Sequence, residues 1–223
     1  MLKQLLRRWP VFITLSLCVA FSLALLMCRL KFTQSFQYLF LVWNIFLAGI
    51  PYLLSSYLKI QGGSIQKLTI LGGIWLLFLP NAPYIITDFI HLRYAGDSAI
   101  WMDIIILFSF AASGLFLYLV SLADMQKIFT TYFGGKISRM IITSVPFLCG
   151  FGIYLGRVLR WNSWDILGNP GELLVSIANI LLNPGAHSEA WFITFGFGLF
   201  LTLALWVFKQ LTARIQTLPI KQN

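Results

Sequence analysis

The sequence predicts an all-α polytopic membrane bundle of about six transmembrane helices. Three observations predict it. Of the 223 residues, 59 % are hydrophobic and only 10 % charged, with a mean hydropathy of +0.83, which is outside the composition of soluble domains. The apolar residues gather into six runs, each long enough to cross ~30 Å of hydrocarbon at 1.5 Å per residue. The Lys and Arg residues stand at the ends of those runs rather than inside them. In lipid such a run must be helical, because a helix satisfies its backbone hydrogen bonds within itself.

The first helix is expected over about residues 11–27. The opening MLKQLLRRWPVF resembles a secretion signal in placing basic residues before an apolar run. That run is long for a signal, however, and no small-x-small cleavage site follows, so it is expected to remain as the first helix. Met27 rather than a small residue precedes Cys28, so lipidation there is not expected. The second helix is expected over 36–58, the third over 68–92 with a break at Pro80–Pro83, and the fourth over 100–122. The fifth and sixth follow over 137–155 and 191–208.

The connection from Arg157 to Ala190 contains ELLVSIANILLNPG, too short to span. Leu173, Leu174, Ile177, Ile180 and Leu181 fall at helical spacing in it, which predicts a short interfacial helix near 173–182. No soluble boundary, low-complexity tract or internal repeat interrupts the runs, so residues 1–223 are expected to form one integral membrane domain.

The net charge of +9 does not point to nucleic acid, because the basic residues are scattered rather than clustered in a basic domain. Membrane topology and anionic headgroups account for it. Cys18, Cys28 and Cys149 form no C-x-x-C pair and support neither a disulfide framework nor a zinc ribbon. With the N-terminus cytoplasmic, eleven Lys and Arg residues fall inside and five outside: Arg29, Lys31, Arg93, Arg157 and Arg160. Both termini are therefore expected in the cytoplasm. The acids show the opposite asymmetry. Asp88, Asp97, Asp103, Asp165, Glu172 and Glu189 are expected at the outer face with His91 and His187, and only Asp124 inside.

Two segments can carry chemistry. In FLPNAPYIITDFIHLR, Pro80 and Pro83 remove backbone donors from the third helix, and Pro83 suits the first turn of a restarted helix. From that restart Tyr84, Asp88 and His91 follow at i, i+4 and i+7, a single α-helical stripe that Asn81 joins one turn deeper. Asp88 and His91 can act as an acid–base pair. Asp-x-x-His is also compatible with a metal pair, but it is only half a site, and Asp103, Asp165, Glu172, Glu189 or His187 would have to complete it, so a metal is the lesser expectation. The structural alternative is a simple proline kink, with Asn81 bonded to a neighbouring helix and Asp88, His91 and Arg93 marking the water boundary.

In GRVLRWNSWDILGNPGE, Arg157 and Arg160 lie one turn apart and can grip an anionic group or neutralise a helix C-terminus and reach headgroups. Trp161 and Trp164 suit an interfacial aromatic belt. Asn162, Ser163 and Asp165 form a turn, and Ser163 has no adjacent histidine or nucleophile elbow to activate it. The glycines of GFGIYLG lack dinucleotide-loop spacing, so Gly152 and Gly156 read as close helix packing. Asp103 is expected in a structural ion pair with Arg93, Arg157 or His91.

The stretches PNAPYIITDFIHL and GRVLRWNSWD resemble those of a family of bacterial multi-pass membrane proteins catalogued only as a domain of unknown function. The resemblance covers most of the chain and implies a bacterial cytoplasmic-membrane protein, with no activity attached. It marks Pro80, Asn81, Pro83, Tyr84, Asp88, His91, Arg157, Arg160, Asn162, Ser163 and Asp165 as motif positions without roles.

The resulting expectation is a pocket open to the outer leaflet that takes an anionic or lipid-linked ligand. Arg157, Arg160, Asn81, Tyr84, Asn162 and Ser163 would bind it, and Asp88, His91 and Asp165 would serve a transferase or hydrolase reaction. A small transporter with a discontinuous third helix and a non-catalytic partner of a membrane complex remain alternatives. Neither a cofactor nor a metal can be named from the sequence, and nor can a protein partner.

Overall fold

The computed structural model describes residues 2–94 and 100–217, and all the elements among them are helical. Asp97 and Lys221, counted above for topology, lie outside the described residues. The elements are α1 (Leu2–Thr33), α2 (Phe40–Gln61), α3 (Ile65–Phe78), α4 (Asn81–Tyr84), a 3-10 segment (Ile85–Tyr94), α5 (Ile100–Arg157), α6 (Asp165–Gly168), α7 (Pro170–Leu182) and α8 (Ser188–Thr217). Five stretches, with α3 through the 3-10 segment counted as one, are long and apolar enough to cross a membrane. Large side chains such as Phe32, Trp101 and Phe192 stand exposed on their outer surfaces, as lipid-facing residues do and those of a soluble monomer rarely do.

α5 contains 58 residues and if straight would extend roughly 87 Å, nearly three bilayer cores. It doubles back instead. Gly134 adopts φ 78°, ψ 165°, a conformation that side-chain-bearing residues avoid. Across it, Ser138 Oγ donates to the Gln126 carbonyl at 2.9 Å and lies 3.0 Å from Thr130 Oγ1. On a straight helix those partners would be roughly 18 and 12 Å apart. The two limbs, α5a (residues 100–133) and α5b (residues 135–157), are the expected fourth and fifth helices. Each runs beyond its apolar stretch, so the expected loop at 123–136 is mostly helix.

α5 is also the central element, in contact with α1, α2, α4, the 3-10 segment and α8. Ion pairs tie α1 to α5a at both ends: Arg29 to Asp103 at 2.5 Å, and Arg8 to Asp124, which Lys59 of α2 also reaches. Residues 8 and 29, like 103 and 124, are 21 apart, or roughly 31 Å of helical rise, close to the thickness of the hydrocarbon core. The charged rungs therefore sit at the two ends of the bundle. Asp103 pairs with Arg29 rather than with the three partners expected for it, and its role is the structural one. Tyr38 donates to it at 3.2 Å. Burial, helped by the Asp103 carboxylate, pushes the Tyr38 phenol up to about 12, so it stays a donor.

The expected break in the third helix is a change of winding rather than a gap. Leu79 and Pro80 keep right-handed helical dihedrals between α3 and α4, after which the chain tightens to 3-10 winding for ten residues. This turn is wedged between the limbs of α5, where glycines make room. A Cβ on Gly114 of α5a would come within 2.5 Å of the Ala82 carbonyl oxygen, and one on Gly152 of α5b within 2.7 Å of Pro80 Cγ. The packing role expected for Gly152 and Gly156 is what the geometry shows.

Candidate functional site

The two sequence motifs meet at the end of the bundle where Arg29 and Asp103 also lie. Prolines at 80 and 83 have no N–H to give, and Ala82 N–H turns to the Leu79 carbonyl at 3.2 Å. Carbonyls one turn earlier are left without backbone donors, and side chains replace them. Asn81 Nδ2 donates to the Phe78 carbonyl at 2.9 Å and to Ser163 Oγ at 3.0 Å. Ser163 Oγ in turn donates to the Leu77 carbonyl at 3.1 Å. A residue 86 positions away thus caps the broken helix. Ser163 is held between an amide and a carbonyl, with no base beside it to make it a nucleophile.

Arg157, the last residue of α5b, closes the other side of the turn. Its Nε donates to Thr87 Oγ1 at 2.7 Å, its Nη2 to the Asp88 carboxylate, and its guanidinium carbon lies 4.4 Å from the centre of the Tyr84 ring. Asn44 of α2 donates from Nδ2 to the other Asp88 oxygen at 2.9 Å. Asp88 is 1 % exposed, so its charge is matched by one cation and one amide. The 3-10 winding also alters the stripes. With three residues per turn, Tyr84 aligns with Thr87, and Ile85 with Asp88 and His91. Arg157 therefore touches Tyr84, Thr87 and Asp88 across two neighbouring rows.

Beside this pair lies a cavity of about 470 Å³ bounded by α2, α3, α4, α5b, α7 and the 161–164 turn, within the usual range for small-molecule sites. Its lining is graded. By position along their helices Leu76, Leu77, Leu148 and Phe151 lie toward the middle of the bundle, while Asn44, Asn81, Tyr84, Asn162 and three tryptophans (43, 161 and 164) lie toward the loop end. Trp43 and Trp164 meet edge to face, with centroids 6.3 Å apart. α7 lies along the opening with Leu173 and Ile177, the short helix expected near 173–182.

Of the nine residues singled out from the sequence, Asn81, Tyr84, Asn162 and Ser163 line the cavity, while Asp88 and Arg157 form the ion pair behind Tyr84. His91 packs on Phe40, with centroids 4.7 Å apart, and does not line the cavity. Arg160 is exposed at φ 62°. Asp165 is engaged locally, accepting from Asn162 N at 2.6 Å and Asn162 Nδ2 at 3.2 Å. Among the described residues no three His, Cys, Asp or Glu side chains cluster as metal ligands would. Asn44, Trp43 and Thr87 were missed by sequence reasoning, and for Asn44 the signal was present: a lone amide in the apolar run FLVWNIFLAGI.

The model of a family described as "Protein of unknown function (DUF1361)" matches residues 43–204, a span that includes the cavity and both motifs. No curated protein and no solved structure matches the chain.

Proposed function

The chain belongs to that family, which brings no activity with it, and from the site's geometry we propose that it binds the polar head of a lipid-linked ligand in this cavity. The grading of the lining with depth carries the proposal. Leu148 and Leu155 are about 10 Å apart along α5b by helical rise, and over that distance the wall changes from leucine and phenylalanine to amides and indoles. An amphiphile entering from the bilayer matches both ends. The eleven-to-five distribution of Lys and Arg supports placing this end outside the cytoplasmic membrane of a bacterium, with both termini inside.

Native mass spectrometry tests the proposal. Protein extracted in a mild, sugar-free detergent is expected to carry a lipid adduct. Ile177→Trp, which fills the cavity, should lose it, and Val175→Trp, on the exposed side of α7, should keep it. Wild type without an adduct, or equal retention by both variants, refutes the proposal.

A transferase or hydrolase reaction on the same ligand is the second reading, favoured by the buried Asp88 carboxylate directly behind Tyr84. It requires Asp88 to exchange Arg157 for substrate, with His91 as proton partner. A transporter needs a polar path onward, whereas the deep wall here is Leu76, Leu77 and Leu148.

A further inference from the structure

From the orientation of three amides we infer that the head accepted by this cavity is neutral and rich in hydroxyl groups, a sugar or similar polyol, rather than a phosphate or carboxylate. The inference rests on the headgroup proposal above and narrows it.

Amide orientation is ordinarily ambiguous, because nitrogen and oxygen look alike. Here each partner resolves it. Asn44 faces the Asp88 carboxylate, Asn81 the Phe78 carbonyl and Asn162 the Asp165 carboxylate. All three partners only accept hydrogen bonds, so each asparagine must turn its NH₂ toward the protein. Asn81, whose two N–H groups go to Phe78 and Ser163, has only its carbonyl oxygen left to offer, while Asn44 and Asn162 offer a carbonyl oxygen and one further N–H. All three residues line the cavity, whose polar lining is uncharged and sets these carbonyl oxygens beside the donors of Tyr84 and the tryptophans.

An anionic head has acceptors only, so it leaves the amide oxygens unpaired, and no cationic side chain lines the cavity to hold its charge. The nearest cation does not compensate. Arg157 is neutralised by Asp88, and the local charges of Arg157, Arg160, Asp88 and Asp165 cancel formally. Moving an anion out of water without a paired cation is costly. An ammonium head would satisfy the amide oxygens and meet the tryptophan faces, but the Tyr84 face already carries the Arg157 guanidinium and no carboxylate lines the cavity to balance a second cation.

Hydroxyl groups donate to amide oxygens and also accept from the Tyr84 hydroxyl and the indole N–H groups. Aromatic faces are electron-rich, and the C–H faces of a sugar ring carry the complementary partial charge. Trp43 and Trp164, set edge to face at the rim, supply such surfaces. Satisfied polar groups of this kind discriminate strongly against a head that cannot pair with them.

The protein is extracted in lauryldimethylamine oxide and placed in phosphatidylcholine nanodiscs containing equal amounts of monoglucosyl diacylglycerol, phosphatidylglycerol and phosphatidylethanolamine with identical acyl chains. Native mass spectrometry then reads which lipid is retained. The glucolipid is expected to be enriched over phosphatidylglycerol by about tenfold or more, equivalent to about 1.4 kcal/mol. Asn162→Lys, at an exposed rim position, should remove that preference or reverse it. Adding free glucose separates the sources: loss of the adduct assigns a soluble sugar, and retention assigns the glycolipid. Enrichment of phosphatidylglycerol or phosphatidylethanolamine overturns the sugar assignment while leaving a headgroup pocket. Enrichment of no lipid, together with an adduct-free wild type, overturns the pocket itself.

Discussion

Arg157→Met should be among the most damaging single changes at this end of the bundle, and Asp88→Asn a milder one. Arg157→Met strands a carboxylate that is 1 % exposed with Asn44 as its remaining described donor. Removing one member of a buried pair costs about 3–5 kcal/mol, and the lost guanidinium–Tyr84 contact adds about 0.5–2 kcal/mol, partly offset by methionine packing. Asp88→Asn strands the guanidinium instead. That side chain is 21 % exposed, retains Thr87 and Tyr84, and can extend toward headgroups, so about 1–2 kcal/mol is expected from the lost hydrogen bond. The double variant removes both charges and should unfold within about 1–2 kcal/mol of wild type, because uncharged replacements of a buried pair are commonly near neutral. Reversible unfolding in mixed micelles at pH 7, followed by tryptophan fluorescence, measures all four proteins. The reasoning fails if Arg157→Met lies within about 1 kcal/mol of wild type, or if the two single effects add to within about 0.5 kcal/mol in the double variant.

Gly152→Ala should destabilise by about 1–3 kcal/mol through overpacking, because the new Cβ would meet the Pro80 ring at 2.7 Å. Gly135→Ala, with nothing within 4 Å, should be neutral in the same assay. In a background without Cys18, Cys28 and Cys149, a membrane-impermeant maleimide should label Leu167→Cys on intact cells and Lys136→Cys only after permeabilisation. The reverse pattern would invert the proposed topology.

The helices were legible because apolar runs of spanning length have one solution in lipid. Their ends were less so. Residues 123–133, where Asp124, Gln126, Lys127, Thr130 and Thr131 interrupt the apolar run, continue α5a past it, and hydropathy records the bilayer rather than the helix. At the site, the chain announced its two segments but not the bonds between them. Asn81 and Ser163 are 82 residues apart, and their meeting depends on α5 doubling back at Gly134. Two assumptions misdirected the local pattern. Tyr84, Asp88 and His91 form one stripe at 3.6 residues per turn, but the 3-10 winding separates Tyr84 from Asp88. Arg157 and Arg160 look paired on a continuing helix, but α5 ends at Arg157 and Arg160 turns to positive φ.

The helix break and the proposed ligand chemistry have a common cause. Two prolines leave carbonyls that need donors, and Asn81, which lines the cavity, answers by giving its NH₂ to Phe78 and Ser163, so its oxygen is the group left for a ligand. Asp88 imposes the same orientation on Asn44 and cancels the charge of Arg157. On the proposed reading the ion pair governs which heads bind without itself lining the cavity. If Asp88 became asparagine, Asn44 could present either face, and the guanidinium would regain its net charge. The same substitution that loosens the bundle should therefore broaden ligand choice toward anions. A purely structural ion pair predicts no such change in selectivity, so lipid retention by Asp88→Asn in mixed nanodiscs separates the two roles.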